Sequence, residues 1–245
     1  MHRFFAKPTG FDGENVRIYE DANHIKRVLR LAAGDEIVVL DGLGYEYPAV
    51  IAGFEKDCCV VKVTDKRRAL TEPELKVTLY QSIPKLDKMD GIIQKAVELG
   101  IYRIVPVITN RTVAKPDATS GKTERWRKIA AEAVKQCGRG VVPEVSAAVS
   151  FEQALAQMKD KDLCVMPYEV LGHGGESNLK EVLKNAAKCP SIGILIGPEG
   201  GFEPAEAEAA QAAGAAVVGL GRRILRTETA GAAVLAIIMY EAGEM

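Results

Sequence analysis

The 245-residue sequence has little of what the commoner kinds of site chemistry require. Histidine occurs only as His2, His24 and His173, far apart and with no partner at metal-ligand spacing, so no metal site is expected. The five cysteines, Cys58, Cys59, Cys137, Cys164 and Cys189, are odd in number and lack a C-x-x-C pair. Reduced thiols are expected rather than a disulfide framework. No apolar run reaches the roughly 18 residues of a membrane span, and no N-terminal stretch has the apolar segment of a secretory signal. A cytoplasmic protein without membrane association is expected. A basic excess is missing too: 32 Lys and Arg stand against 33 Asp and Glu, for a formal net charge of −1, so composition alone does not point to nucleic acid. What remains, 47% hydrophobic and 27% charged residues, is the balance of a soluble globular protein of one or two domains.

The patterning changes along the chain. Val16 to Tyr19, Glu36 to Leu40, Glu46 to Phe54 and Cys58 to Thr64 carry β-branched or alternating residues, broken by Asp41-Gly42 and Glu55-Lys56-Asp57, and predict a small β-barrel with one helix. Charge, Pro73 and lost periodicity mark a linker over Lys66 to Glu74, which divides the chain into 1–72 and 73–245. Beyond it strands and helices alternate. Strands are predicted at Val77 to Gln81, Ile104 to Val107, Leu163 to Pro167, Ile192 to Ile196 and Ala215 to Val218. Helices are predicted at Lys88 to Leu99, Thr123 to Cys137, Phe151 to Met158, Asn178 to Ala187, Pro204 to Ala213 and Thr227 to Glu241. Such alternation implies an α/β domain, a parallel sheet covered on both faces.

Two loops stand out. Ile196-Gly197-Pro198-Glu199-Gly200-Gly201-Phe202 follows a buried strand and leads into Glu203-Pro204, a helix start. Leu220-Gly221-Arg222-Arg223-Ile224-Leu225-Arg226-Thr227-Glu228-Thr229-Ala230 follows the strand ending at Val218 and opens the last helix. Both are expected at the carboxyl edge of one parallel sheet, where open α/β sheets bind ligands. Neither is a phosphate cradle of known pattern: no Lys-Ser or Lys-Thr follows the glycines, and Gly219-Leu220-Gly221 lacks a third Rossmann glycine. Basic residues cluster at Lys26, Arg27 and Arg30, at Lys66-Arg67-Arg68, and at Arg222, Arg223 and Arg226. A charge cluster is commonly a solvated face, but guanidinium forks beside a ligand loop suit phosphates and base edges. The last helix, apolar all round from Ala230 to Met239, needs burial on most sides, from its own core or from a second subunit.

Several further segments fit one family pattern in order. They are Met1-His2-Arg3-Phe4-Phe5, His24 to Arg30 followed by Gly34-Asp35, Lys85-Leu86-Asp87-Lys88-Met89 and Gln94-Lys95-Ala96-Val97-Glu98-Leu99-Gly100. Glu124-Arg125-Trp126, Gln136-Cys137-Gly138-Arg139 and the two loops complete the series. With them the chain resembles the SPOUT methyltransferases, and within these the 16S ribosomal RNA uridine-N3 methyltransferases. Gly172-His173-Gly174-Gly175 departs from the pattern as a local loop variation at the rim of the site. The resemblance implies a PUA-like RNA-binding β-barrel followed by a SPOUT α/β domain with a deep trefoil knot. It further implies S-adenosyl-L-methionine as methyl donor, 16S ribosomal RNA of the small ribosomal subunit as partner, and a homodimer through the last helix. Carried onto this sequence, the donor site comprises Leu195, Ile196, Gly197, Gly200, Gly201, Leu220, Ile224, Leu225 and Thr229. Methylating N3 requires loss of its proton or stabilisation of the developing anion. Arg226 suits the second role, and Glu199 or Glu228 the first, although Glu228 also suits a helix first turn. Arg3, Lys26, Arg27, Arg30, Arg139, Arg222 and Arg223 are the expected RNA contacts, Arg139 alternatively capping helix carbonyls. Two other readings stay open: a related enzyme acting on transfer RNA or a ribose 2′-hydroxyl, and an assembly factor that binds RNA without chemistry.

Overall fold

A computed structural model describes residues 1–113, 121–169 and 178–245. It divides into two compact units, Met1–Glu72 with Val134–Val142, and Pro73–Ala133 with Pro143–Met245. The Val134–Val142 excursion is one that a single cut in the sequence does not contain. It is tied into the first unit by Arg139, whose guanidinium donates to Glu72 at 2.8 Å, and by Lys135, paired with Asp21 at 2.9 Å.

The first unit is a sheet of β1 (His2–Phe5), β2 (Phe11–Asp12), β3 (Asn15–Ile18), β4 (Glu36–Leu40), β5 (Tyr45–Phe54), β6 (Cys59–Val63) and β7 (Arg67–Arg68). The order is β1-β4-β5-β6-β3-β2, with β7 on β5. Pairing runs as an open path from β1 to β2, so among the described strands the expected barrel is not closed by a ladder. Alternate residues face one core of Phe4, Val16, Ile18, Ile37, Val39, Ile51 and Val61, which fixes register, since a one-residue slip would expose them all. The expected helix is a short π-helical segment, His24–Val28, that buries Ile25 and leaves Lys26 and Arg27 exposed.

The second unit comprises β8 (Lys76–Ser82), α1 (Lys88–Glu98), β9 (Arg103–Ile108), α2 (Lys122–Cys137, its residues from Val134 on belonging to the first unit), β10 (Glu144–Val145), β11 (Val149–Ser150) and α3 (Phe151–Met158). There follow β12 (Leu163–Pro167), α4 (Leu179–Val182), β13 (Ser191–Ile196), α5 (Pro204–Ala212), β14 (Ala216–Val218) and α6 (Thr227–Ala242). All its strands pair in parallel, in the order β10-β9-β8-β13-β12-β14. β8 and β13 are buried on both faces, so neither alternates: β13 is nearly all apolar, while β8 also buries Thr78, Gln81 and Ser82. α1 places Met89, Ile92, Ile93, Ala96 and Val97 on one face and stops where Gly100 takes φ +86°. α4 is shorter than expected: the chain tightens to 3-10 geometry over Leu183–Lys188, ahead of Pro190. The Gly172-His173-Gly174-Gly175 variation lies outside the described residues.

Candidate active site

Sheet order assembles the site. The neighbouring strands β8, β13, β12 and β14 end on one edge, and the chain beyond each contributes to a cavity of about 490 Å³. After β8 comes Lys88, after β13 Gly197 to Phe202, at the end of β12 Pro167 to Glu169, and after β14 Leu220 to Thr227. Its size lies within the range of small-molecule sites.

The first loop is built as a tight turn. The Gly201 amide donates to Pro198 O at 2.9 Å, and Gly201 itself sits at φ +68°, a conformation that costs L residues energy. Arg111 donates to Gly200 O at 2.7 Å and holds the turn from β9's end. A buried polar chain then joins both loops to the central strand: Gln81 Nε2 donates to Thr227 Oγ1 at 2.9 Å, and Thr227 Oγ1 donates to Gly197 O at 2.7 Å.

Most sequence-predicted donor residues converge here. Ile196, Gly197, Gly200, Gly201, Leu220, Ile224 and Leu225 line the cavity, as do Arg222, Arg223, Arg226 and Glu199. Leu195 and Thr229 do not. Successive strand residues face opposite sides of a sheet, and Leu195 packs into the core with Tyr80, Met166 and Phe202. On α6 the cavity takes Thr227 and Ala230, three apart on one face, which turns Thr229 to solvent.

Lys88 and Glu169 belong to the cavity and were not singled out from the sequence. Lys88 Nζ lies 3.0 Å from Glu199 Oε1 and 3.5 Å from Glu228 Oε2. Glu199 also accepts from the Lys85 backbone N–H at 3.1 Å. Burial alone would raise the Glu199 carboxyl, but hydrogen bonds from its own backbone, Lys88 and Lys85 outweigh it and hold it below the usual carboxylate range. The bond to Glu199 in turn raises Lys88, which stays protonated. A carboxylate so held is a weak base near neutrality, and this counts against Glu199 as proton acceptor.

In the first unit the expected RNA contacts separate. Lys26, Arg27 and Arg30 are exposed, Lys26 standing 5.2 Å from the Phe54 ring centroid. Arg3 is instead paired at 2.5 Å with the buried Glu46, which Arg67 also binds at 2.6 Å. Arg139 is 5% exposed and braced on Glu72, whose Oε1 also takes the Gly140 and Val141 amides, so it is a structural ion pair and not a free surface cation.

Comparison with known proteins follows this geometry. A family model for an RNA methyltransferase domain matches residues 71–239, and one for an RNA methyltransferase PUA domain matches residues 20–64. The chain is 37% identical to ribosomal RNA small subunit methyltransferase E of Bacillus subtilis (strain 168), over 98% of this chain and 97% of the relative. Among solved structures it is similar to ribosomal RNA small subunit methyltransferase E from Neisseria gonorrhoeae bound to S-adenosyl methionine. That likeness has a TM-score of 0.82 and 32% identity over 98% of this chain and 97% of that one. It is similar also to a putative methyltransferase from Legionella pneumophila in complex with the bound cofactor SAM, with a TM-score of 0.85 and 28% identity over 97% and 96% of the two chains.

Proposed function

The chain belongs to the family of ribosomal RNA small subunit methyltransferase E, and from that premise we propose that it methylates N3 of a uridine in 16S ribosomal RNA with S-adenosyl-L-methionine. The observation that carries the proposal is the meeting, in one cavity, of both glycine-containing loops and three exposed arginines. The donor's chemical character fits the residues present. Ile196, Leu220 and Leu225 supply apolar wall for an adenine, backbone groups of Gly197, Gly200, Gly201 and Leu220 suit the adenosine's polar edges, and carboxylates of Glu169 and Glu199 offset positive charge. When bound there, the donor would supply an electrophilic methyl group on a sulfonium.

The chain's own task is then to present the uracil. Its N3 edge is hidden inside a duplex, so the base must be unpaired or flipped. Arg226 stands at the mouth and would donate charge-assisted hydrogen bonds to a uracil carbonyl as negative charge develops on the ring. Arg222 and Arg223 would hold neighbouring phosphates, and Lys26, Arg27 and Arg30 of the first unit would add sequence-independent contacts. In this reading residues 1–72 form a PUA-like RNA-binding domain and 73–245 a knotted SPOUT domain. The crossed order β8-β13-β12-β14, which sets the loops after β13 and β14 together, supports the threading.

A homodimer through α6 is part of the same proposal. Seven of its residues are buried in the unit's own core, yet Ile237 is 41% and Tyr240 73% exposed on the opposite face, where a second copy would cover them. The protein would act in the cytoplasm; no helix among the described residues is long and apolar enough to cross a membrane. Incubation with labelled methyl donor and small ribosomal subunits, followed by nucleoside analysis and mapping of the label, tests the assignment. Label at N3 of a uridine is expected, whereas label on transfer RNA, on a ribose hydroxyl, or on nothing refutes it.

A further inference from the structure

Lys88 opens α1, and a cation there opposes the positive N-terminal end of the helix dipole. Its surroundings explain the placement. The ammonium bridges two carboxylates from separate segments, Glu199 in the loop after β13 and Glu228 in the first turn of α6. Glu228 Oε2 is buried and has no hydrogen-bond partner among the described residues, so Lys88 is what offsets its charge. On Glu199 the two oxygens differ. Oε1 takes Lys88 at 3.0 Å and the Lys85 amide at 3.1 Å, whereas Oε2 takes the Lys85 amide alone at 3.3 Å. With Glu199 a wall of the cavity, Oε2 retains lone pairs for an occupant.

We propose that Lys88 is a positioning residue that locks the Glu199 carboxylate against the cavity, with Oε2 receiving the positively charged part of the methyl donor. This rests on the proposed use of S-adenosyl-L-methionine and assigns Glu199 a binding role in place of a proton-accepting one. The charged groups around Glu199 are Lys88 from α1, Glu228 and Arg226 from α6, Arg222 and Arg223 from the loop before it, Glu169 from the end of β12, and Arg111 from the end of β9. Of these, Lys88 is the one in direct hydrogen-bonded contact with its side chain. Without Lys88 the burial of Glu199 is opposed by fewer donors, so its pKa moves up and its charge is lost on acidification at a higher pH.

Calorimetric titration with S-adenosyl-L-methionine from about pH 5.5 to about 8.5 tests this in the wild type, Lys88→Met, Lys88→Arg and Lys88→Met/Glu228→Gln. The double variant removes the carboxylate that Lys88→Met would leave buried and uncompensated. Both methionine variants are expected to bind the donor roughly tenfold or more weakly, as for loss of a charged hydrogen bond, with the deficit growing toward acid pH. Lys88→Arg should recover most of the affinity. 5′-Methylthioadenosine, an uncharged thioether without the amino acid, should bind all four alike. Wild-type affinity with an unaltered pH profile in Lys88→Met overturns the proposal. So does a pH-independent loss that affects the thioether equally and disappears in the double variant, which marks a purely structural brace. A folded wild type that takes up no donor at any pH refutes the methyl-donor reading itself, and the role of Lys88 with it.

Discussion

Replacing Arg226 by serine should make the protein more stable and nearly inactive. Arg226 is the N-cap of α6, with φ −66° and ψ 153°, and its side chain makes no capping hydrogen bond. The same backbone geometry at α3 carries Ser150, whose hydroxyl accepts from the Gln153 amide at 3.2 Å. α5 begins with a reciprocal Glu203 and Glu206 box. A serine at 226 could accept from the Glu228 amide, the Thr229 amide being already bonded to the Arg226 carbonyl at 2.8 Å, a gain of about 1 kcal/mol. Removing an exposed cation from the positive end of the helix adds about 0.3 kcal/mol, the low end of the dipole range because solvent screens it. The sum, about 1 to 1.5 kcal/mol, corresponds to a rise in melting temperature of roughly 2–6 °C for a chain of this size. Turnover should fall on the order of a hundredfold or more if Arg226 stabilises charge that develops on the base, with donor affinity little changed. Arg226→Lys should rescue poorly, since a point charge lacks the planar fork. Thermal melting paired with single-turnover methylation at saturating RNA and donor decides the matter. A lowered melting temperature would contradict the capping argument, and near-normal turnover would return Arg226 to an ordinary solvated residue.

Three other outcomes are expected. Gly201→Val should weaken donor binding at least tenfold, because a β-branched residue at φ +68° is strained by about 1–3 kcal/mol and its Cβ meets the Glu169 carboxylate; the end of that side chain can swing aside, so strain in the turn dominates, and an unchanged calorimetric affinity in a folded variant would refute it. Ile237→Glu should shift the proposed dimer toward monomer in light scattering, while Ile238→Glu, at a fully buried position, should unfold the protein instead; a wild type that is monomeric at micromolar concentration ends the dimer proposal. A thiol reagent at mildly alkaline pH should label Cys137 and Cys189 quickly in the native protein and leave the rest slow. Burial raises Cys58 and pushes Cys59 and Cys164 up to about 11, so their thiolate fractions are small; five fast thiols without unfolding would contradict this.

The loops were legible in the sequence because each stands between an apolar run and a helix start, and both features are local. What escaped depends on partners far apart in the chain. Glu72 and Arg139 are 67 residues apart, and their pairing turns a presumed RNA contact into a buried brace. Lys88 faces Glu199 and Glu228 only because β8 and β13 are neighbours, an order that no strand period contains. Leu195 beside Ile196 shows the limit at single-residue scale: an all-apolar strand buried on both faces gives no alternation from which to tell the cavity side from the core side. The apolar last helix buries seven of its residues, and which positions remain outside is visible only from its packing on the sheet.

Charge around the cavity is layered in a way that follows from these placements. Two helix starts at the cavity carry a cation, Lys88 as the first residue of α1 after its N-cap Asp87 and Arg226 as the N-cap of α6, where the N-caps of α3 and α5 are Ser150 and Glu203. Departures from good capping are expected where function sets the residue. The two cations are nonetheless used differently. Lys88 has its charge spent on Glu199 and Glu228, so that part of the wall presents carboxylate oxygen to an occupant. Arg226, with Arg222 and Arg223, is exposed at the mouth and shows no resolved carboxylate partner among the described residues. A cationic methyl donor and a polyanionic RNA have opposite electrostatic needs only ångströms apart. Neutralising the inner cation with fixed carboxylates while leaving the outer ones open to solvent satisfies both, and it keeps the long-range attraction for phosphate from expelling the donor beneath it.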